Sequence, residues 1–133
     1  MRIIGGKYKS YIIPTSKKIK ARPTTDMAKE ALFNILENKI DFNQIYVLDL
    51  FCGTGNISYE FASRGVKEIT AVDHQINALQ FIQKQSSHWG MNINTKKKNA
   101  LSFLEITDDK YDVIFADPPY DFRRIDEIHD IIF

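Results

Sequence analysis

From Ile45 onward the sequence alternates short apolar, β-prone runs with stretches of helical period, and this alternation confines the chain to an α/β fold built on a parallel sheet. Ile45–Leu50, Glu68–Asp73, Ile93–Lys98 and Tyr111–Ala116 read as strands. Asn56–Arg64, Ile76–Trp89, Leu101–Glu105 and Arg123–Phe133 read as helices, with Leu79, Ile82 and Trp89 as inward anchors of the second. Gly65 and Gly90 stand where helix C-termini favour positive φ. Ahead of this series, residues 25–38 predict an amphipathic helix, with Thr25 as N-cap and Asp26 in its first turn. Ala28, Ala31, Leu32, Ile35 and Leu36 form its expected inner face. Arg2–Ile4 and Tyr8–Ile13 predict a hairpin around Gly5–Gly6–Lys7, and Pro14 ends it.

The 133 residues suffice for one domain, and no repeat or flexible linker divides them. The net charge of +1 conceals an asymmetry. Residues 1–25 carry seven basic and no acidic residues, whereas the remaining 108 carry 11 basic and 17 acidic ones, a balance of −6. A basic arm on a mildly acidic body suits a polyanionic partner such as nucleic acid. The single cysteine, Cys52, excludes an internal disulfide and suits a reducing, cytoplasmic setting. Its place beside a glycine loop reads as packing. His74, His88 and His129 lack ligand spacing, so no metal is expected. Lys96–Lys97–Lys98 reads as a solvated strand end.

In an open parallel sheet, ligands bind at the carboxyl ends of the strands. Four loops therefore matter: Asp49–Asn56, Asp73–Gln75, Asn99–Ala100 and Asp117–Tyr120. In the first, Gly53 and Gly55 permit positive φ and close backbone approach before a helix N-terminus. A dinucleotide fingerprint would need glycine or alanine at Ser58, and a pyrophosphate would be repelled by Asp49. A sulfonium cofactor with an α-amino group fits that carboxylate better. Asp73, 18 residues after Gly55, suits ribose hydroxyls. Asn99 suits either an adenine edge or the N-cap of the helix that follows it.

Asp117–Pro118–Pro119–Tyr120 follows the clean apolar strand Val113–Ala116. Two prolines stiffen the loop and leave the Pro118 carbonyl without a regular turn partner. An exocyclic amino group on a base has its lone pair delocalised into the ring. A carboxylate and a carbonyl that accept its two N–H bonds favour the pyramidal nitrogen that can react, and the Tyr120 ring can stack on the base.

Asp49-x-Phe51-x-Gly53-x-Gly55, Asp73 and Asp117–Pro118–Pro119–Tyr120 together resemble the motifs of S-adenosylmethionine-dependent amino-methyltransferases. Arg2–Ile3–Ile4–Gly5–Gly6, Arg22–Pro23–Thr24–Thr25–Asp26, Glu30–Leu36 and Ser63–Arg64–Gly65 narrow the resemblance to the RsmD family, over essentially the whole chain. That resemblance implies a Rossmann-like class I methyltransferase sheet with an N-terminal β-hairpin arm, divided as residues 1–24 (basic arm and loop) and 25–133 (S-adenosylmethionine-binding domain). It implies transfer of methyl to N2 of a guanine in 16S rRNA of the small ribosomal subunit or its assembly intermediate. The implied cofactor set is Asp49, Phe51, Gly53, Gly55, Asp73, Asn99 and Ala100, with Asp49, Gly53 and Gly55 at the methionine end and Asp73 at the ribose. Asn99 stands where the family usually has aspartate near adenine. Asp117 and Pro118 would grip the guanine amino group, and Tyr120 would stack on the base. Arg2, Lys7, Lys9, Lys17, Lys18, Lys20 and Arg22 would contact RNA. Family members carry a longer sheet, so the chain reads as the N-terminal part of such a domain, with an exposed edge beside its fourth strand. Rival readings are an amino-methyltransferase of DNA adenine or protein glutamine, and a non-catalytic RNA-binding module.

Overall fold

The computed structural model describes residues 1–20 and 24–118. The expected helix Arg123–Phe133 lies outside them, as do Arg22 and Tyr120. Four parallel strands, β1 (Tyr46–Leu50), β2 (Glu68–Asp73), β3 (Ile93–Lys97) and β4 (Val113–Ala116), lie in the order β3-β2-β1-β4. Leu48 pairs with Thr70 on one side and Ile114 on the other. Helices α1 (Asp26–Glu37), α2 (Asn56–Ser63), α3 (Ile76–Trp89) and α4 (Ala100–Ile106) fall where the periodicity puts them. This is the expected α/β, Rossmann-like architecture. Among the described residues β4 ends the sheet order, its Ala116 exposed, and no helix is long and apolar enough to cross a membrane.

Period-2 alternation sends successive strand residues into two cores. Val47, Ile69, Ala71 and Ile93 join the larger core with Phe33, Tyr59, Phe61 and Ile82, while Leu48, Leu50 and Val72 join Ala100 and Phe103 of α4 in the smaller one. Phe33, Phe42 and Phe61 meet edge-on or tilted, with centroids 4.7–6.2 Å apart.

Two expectations need correction. On α1, the side chains that reach full burial are Lys29 and Phe33, with Leu32 and Leu36 half-buried, and Ala28, Ala31 and Ile35 face outward. The face has turned because the Lys29 ammonium is held inside by Glu60, Asn56 and the Arg2 carbonyl, at a position the apolar pattern does not mark. The N-terminal arm forms one antiparallel bridge, Arg2↔Ile12, rather than two strands. Two backbone bonds make that bridge, Ile3 N–H to the Tyr11 carbonyl and Ile13 N–H to the Met1 carbonyl, and one more, Ser10 N–H to the Ile3 carbonyl, holds the arm. Residues 5–8 leave the ladder because α2 captures them.

That capture is polar. The fully buried Glu60 carboxylate accepts from the backbone of Ile4 (2.8 Å) and Gly5 (3.0 Å) and from Arg64 Nε (2.8 Å). Lys29 Nζ lies 3.4 Å from it, and donates to the Arg2 carbonyl (2.6 Å) and to Asn56 Oδ1 (2.7 Å). Ser63 Oγ donates to the Gly5 carbonyl and accepts from Tyr8 N–H, while the Ser63 carbonyl accepts from Lys7 N–H. Ile3 and Ile13 are thereby drawn into the larger core, at 0% and 1% exposure.

Gly6 lies at φ +80°, and a Cβ there would meet the Ser63 carbonyl oxygen at 2.0 Å; at Gly90, φ +70°, a Cβ would meet nothing within 4 Å. Gly6→Ala therefore carries both backbone strain and a clash, and Gly90→Ala strain alone. In urea unfolding, Gly90→Ala should cost about 1 kcal/mol and Gly6→Ala distinctly more, about 2–4 kcal/mol. Equal losses would contradict the close docking of the arm.

Candidate active site

The carboxyl end of the sheet gathers the residues singled out by sequence. The β1 loop makes a sharp excursion. Phe51 holds φ +56°, a conformation that bulky side chains rarely adopt and that marks functional loops. Cys52 N–H then reaches the Val72 carbonyl, and Gly55 N–H closes back on the Cys52 carbonyl. Gly53 N–H donates to Asp73 Oδ2 at 2.9 Å, so the glycine loop and the β2 carboxylate are already one unit. Gly55, at φ +88°, is needed for packing as well as for its turn: a Cβ there would press on Ile82 and Tyr59 at 2.9 Å.

Two cavities open on either side of Phe51. One, about 160 Å³, has Asp49, Cys52, Thr54 and Asn56 on its loop side, Phe115 and Asp117 from the end of β4, and Met1, Thr15, Ser16, Ile19 and Thr24 from the N-terminal arm. The other, about 150 Å³, is lined by Val72, Asp73, His74, Lys98, Asn99 and Ala100. Phe51 belongs to both.

Asp49 is 1% exposed, and Ser58 Oγ donates to its Oδ2 at 2.7 Å. Burial pushes its carboxyl from the ordinary 3.8 up to about 7; the Ser58 hydrogen bond opposes this, and the negative charges of Asp73 and Asp117 add to it. Ser58, which breaks the dinucleotide pattern in the sequence, thus has a positive role as the donor beneath the carboxylate. A desolvated acid at a cavity wall is suited to an ammonium or sulfonium group.

Asp73 accepts from Gln75 N–H at 2.9 Å as well as from Gly53, and His74 Nδ1 lies 3.6 Å away. Its inner lone pairs hold the loop, and the carboxylate still borders the second cavity. Asn99 Oδ1 accepts from the backbone of Leu101 and Ser102, so it is the N-cap of α4, and it also lines that cavity. The N-cap reading of Asn99 is the one the structure bears out, and the residue also borders the second cavity.

Asp117 and Pro118 are half-buried just after β4, and Asp117 lines the first cavity together with Asp49; Tyr120 lies outside the described residues. Arg2, Lys7, Lys9, Lys17, Lys18 and Lys20 are all exposed on the arm, and Arg2 lies 3.7 Å from Asp26. Sequence reasoning missed Lys29 and Glu60. The available signal was positional: Lys29 shares the helical face of Phe33 and Leu36, and Glu60 stands four residues before Arg64.

Because its folded-state pKa is raised, Asp49 binds protons more readily in the native than in the unfolded chain. Its contribution therefore destabilises the fold increasingly as pH rises from about 4 through about 7. Asp49→Asn should raise the thermal midpoint at pH 8, and the gain should shrink at pH 5. A gain that did not vary with pH would contradict the buried-carboxylate geometry.

The family model described as "Conserved hypothetical protein 95" matches residues 1–132. Ribosomal RNA small subunit methyltransferase D of Escherichia coli (strain K12) is 34% identical over 125 residues, covering 93% of this chain and 61% of that protein. The protein of the same name from Buchnera aphidicola subsp. Baizongia pistaciae is 33% identical over 121 residues, covering 90% and 61%. This chain thus spans about three-fifths of the length of those relatives. The solved structure of Escherichia coli yhhF superposes with a TM-score of 0.86 at 26% identity, covering 99% of this chain and 71% of that one. The motifs, the sheet order and these relatives agree, and the chain belongs to the RsmD family.

Proposed function

We propose that this chain is an S-adenosylmethionine-dependent methyltransferase that modifies the exocyclic N2 of a guanine in 16S rRNA, within the small ribosomal subunit or its assembly intermediate. The observation that carries the reading is the pair of cavities joined at Phe51, with Asp49 and Asp117 in one and Asp73 and Asn99 in the other. The names of the relatives support rRNA as the substrate. The rRNA substrate also fits a cytoplasmic protein.

S-adenosylmethionine, when bound, supplies the methyl group and leaves as S-adenosylhomocysteine. Asp49, in its ionised form, offers a carboxylate to the α-amino group, and Ser58 steadies that form through its hydrogen bond. Asp73 would offer acceptors to the ribose, and Asn99 and Ala100 would hold the adenine. Asp117 and the Pro118 carbonyl accept the two N–H bonds of the guanine amino group, Tyr120 stacks on the base, and the nitrogen lone pair is freed to form the new N–C bond. Asp117 or water then takes the proton. The work of the site is positioning and charge placement. The arm over residues 1–24 serves the RNA through its lysines and arginines, and residues 25–133 form the methyl-transfer domain.

Asp117→Ala should lower kcat/KM about 10²–10⁴-fold while leaving S-adenosylhomocysteine affinity within about twofold, since the loss falls on the acceptor side. Single-turnover methyl transfer beside calorimetric titration checks both. Unchanged turnover would remove Asp117 from the reaction.

A further inference from the structure

The arm does more than carry positive charge: after its bridge it crosses the carboxyl end of the sheet. Thr15, Ser16 and Ile19 line the cavity that also holds Asp49 and Asp117, with Ile19 only 7% exposed. Residues 14–20 contain no helix or strand of their own, and Ile19 N–H closes a turn on the Ser16 carbonyl. At Lys20 the holding group is Gln75, 55 residues away. Lys20 N–H donates to Gln75 Oε1 at 2.9 Å, and Gln75 Nε2 donates back to the Lys20 carbonyl at 2.8 Å. The side-chain amide thus satisfies both backbone groups of one residue, as a neighbouring strand would.

The other end of Gln75 is fixed by the cofactor side. Its backbone N–H donates to Asp73 Oδ1 at 2.9 Å, and Nε2 also approaches that oxygen at 3.4 Å. Asp73 in turn holds Gly53. Lys20 is therefore two residues removed from the glycine loop through a continuous set of hydrogen bonds. Beyond the crossing, Asn56 Nδ2 donates to the Thr24 carbonyl at 3.3 Å, a second attachment to the start of α2.

We propose that Gln75 is a positioning residue: it clasps Lys20 and so holds residues 15–20 as the outer wall of the cavity above Asp49. The proposal rests on the reading of that cavity as the methyl-donor site. Lys17, Lys18 and Lys20 are exposed on the same segment, so the wall of the cavity is also the basic face of the arm. Gln75 lies at a half-buried surface position, which makes its removal separable from folding.

The test compares the full chain with Gln75→Ala and Gln75→Met, the latter keeping the bulk and losing both bonds. Trypsin cleavage after Lys17, Lys18 and Lys20, with no ligand present, should accelerate about tenfold in both variants, as expected when two hydrogen bonds that close a segment are lost. The thermal midpoint should move little, which a merely structural role would not allow. S-adenosylhomocysteine should dissociate about fivefold or more faster from both variants, with Asp73 and Asp49 intact. Unchanged cleavage would overturn the clasp. Faster cleavage with unchanged S-adenosylhomocysteine dissociation would overturn the wall. A wild-type chain that binds no S-adenosylhomocysteine, yet shows the cleavage difference, would remove the methyl-donor reading and the positioning role together while leaving the Lys20 contact itself demonstrated.

Discussion

A carboxylate with no access to water organises the N-terminal third of this molecule. Glu60 is fully buried, and a buried charge left unpaired costs several kcal/mol. It is satisfied by two backbone N–H groups of the arm, by Arg64 on its own helix and by Lys29 from α1. Lys29 is as buried as Glu60; desolvation lowers its pKa, and the carboxylate opposes that loss of charge. Neither ion is tolerable without the other, and neither is fully bonded without the arm. The consequence is that a glycine-rich N-terminus with little strand structure of its own has a defined place against α2. Arg64 adds a contact over the Phe33 ring at 4.9 Å, so the polar hub is sealed by the aromatic core rather than by solvent.

The same helix joins that hub to the chemistry. Its first residue, Asn56, takes a bond from Lys29 and lines the cavity, and its third, Ser58, donates to Asp49. One face of α2 thus serves the arm and the other the site. Asp49 and Phe51 are held against local preference, the first by desolvation and the second by a positive φ; Asp49 lines the first cavity and Phe51 borders both. Strain and desolvation are thus concentrated at one loop, on an otherwise conventional sheet, as is common at functional sites.

The central fold was legible because its signals are local. β2 and α3 occupy Glu68–Asp73 and Ile76–Trp89, the bounds read from alternation, helical period and the Gly90 stop. The glycine loop and the strand-end acids could be placed because a parallel sheet puts such residues on one edge. The arm and α1 were less legible for a physical reason. Lys29 sits at a core position that a hydrophobicity pattern leaves blank, and Gly5 answers to Glu60 and Ser63, more than 50 residues away. No window of sequence contains both partners. Gln75 and Lys20 are hidden in the same way, since an amide in a loop carries no signal until the fold brings a backbone against it.

The most direct measurement is methyl transfer from labelled S-adenosylmethionine into unmodified small-subunit particles by this chain, followed by identification of the labelled nucleoside. Label is expected in N2-methylguanosine, and it should fall at least about a hundredfold in rate in Asp117→Ala. Label in another nucleoside, or none from a chain that binds S-adenosylhomocysteine, would contradict guanine N2 methylation by this chain.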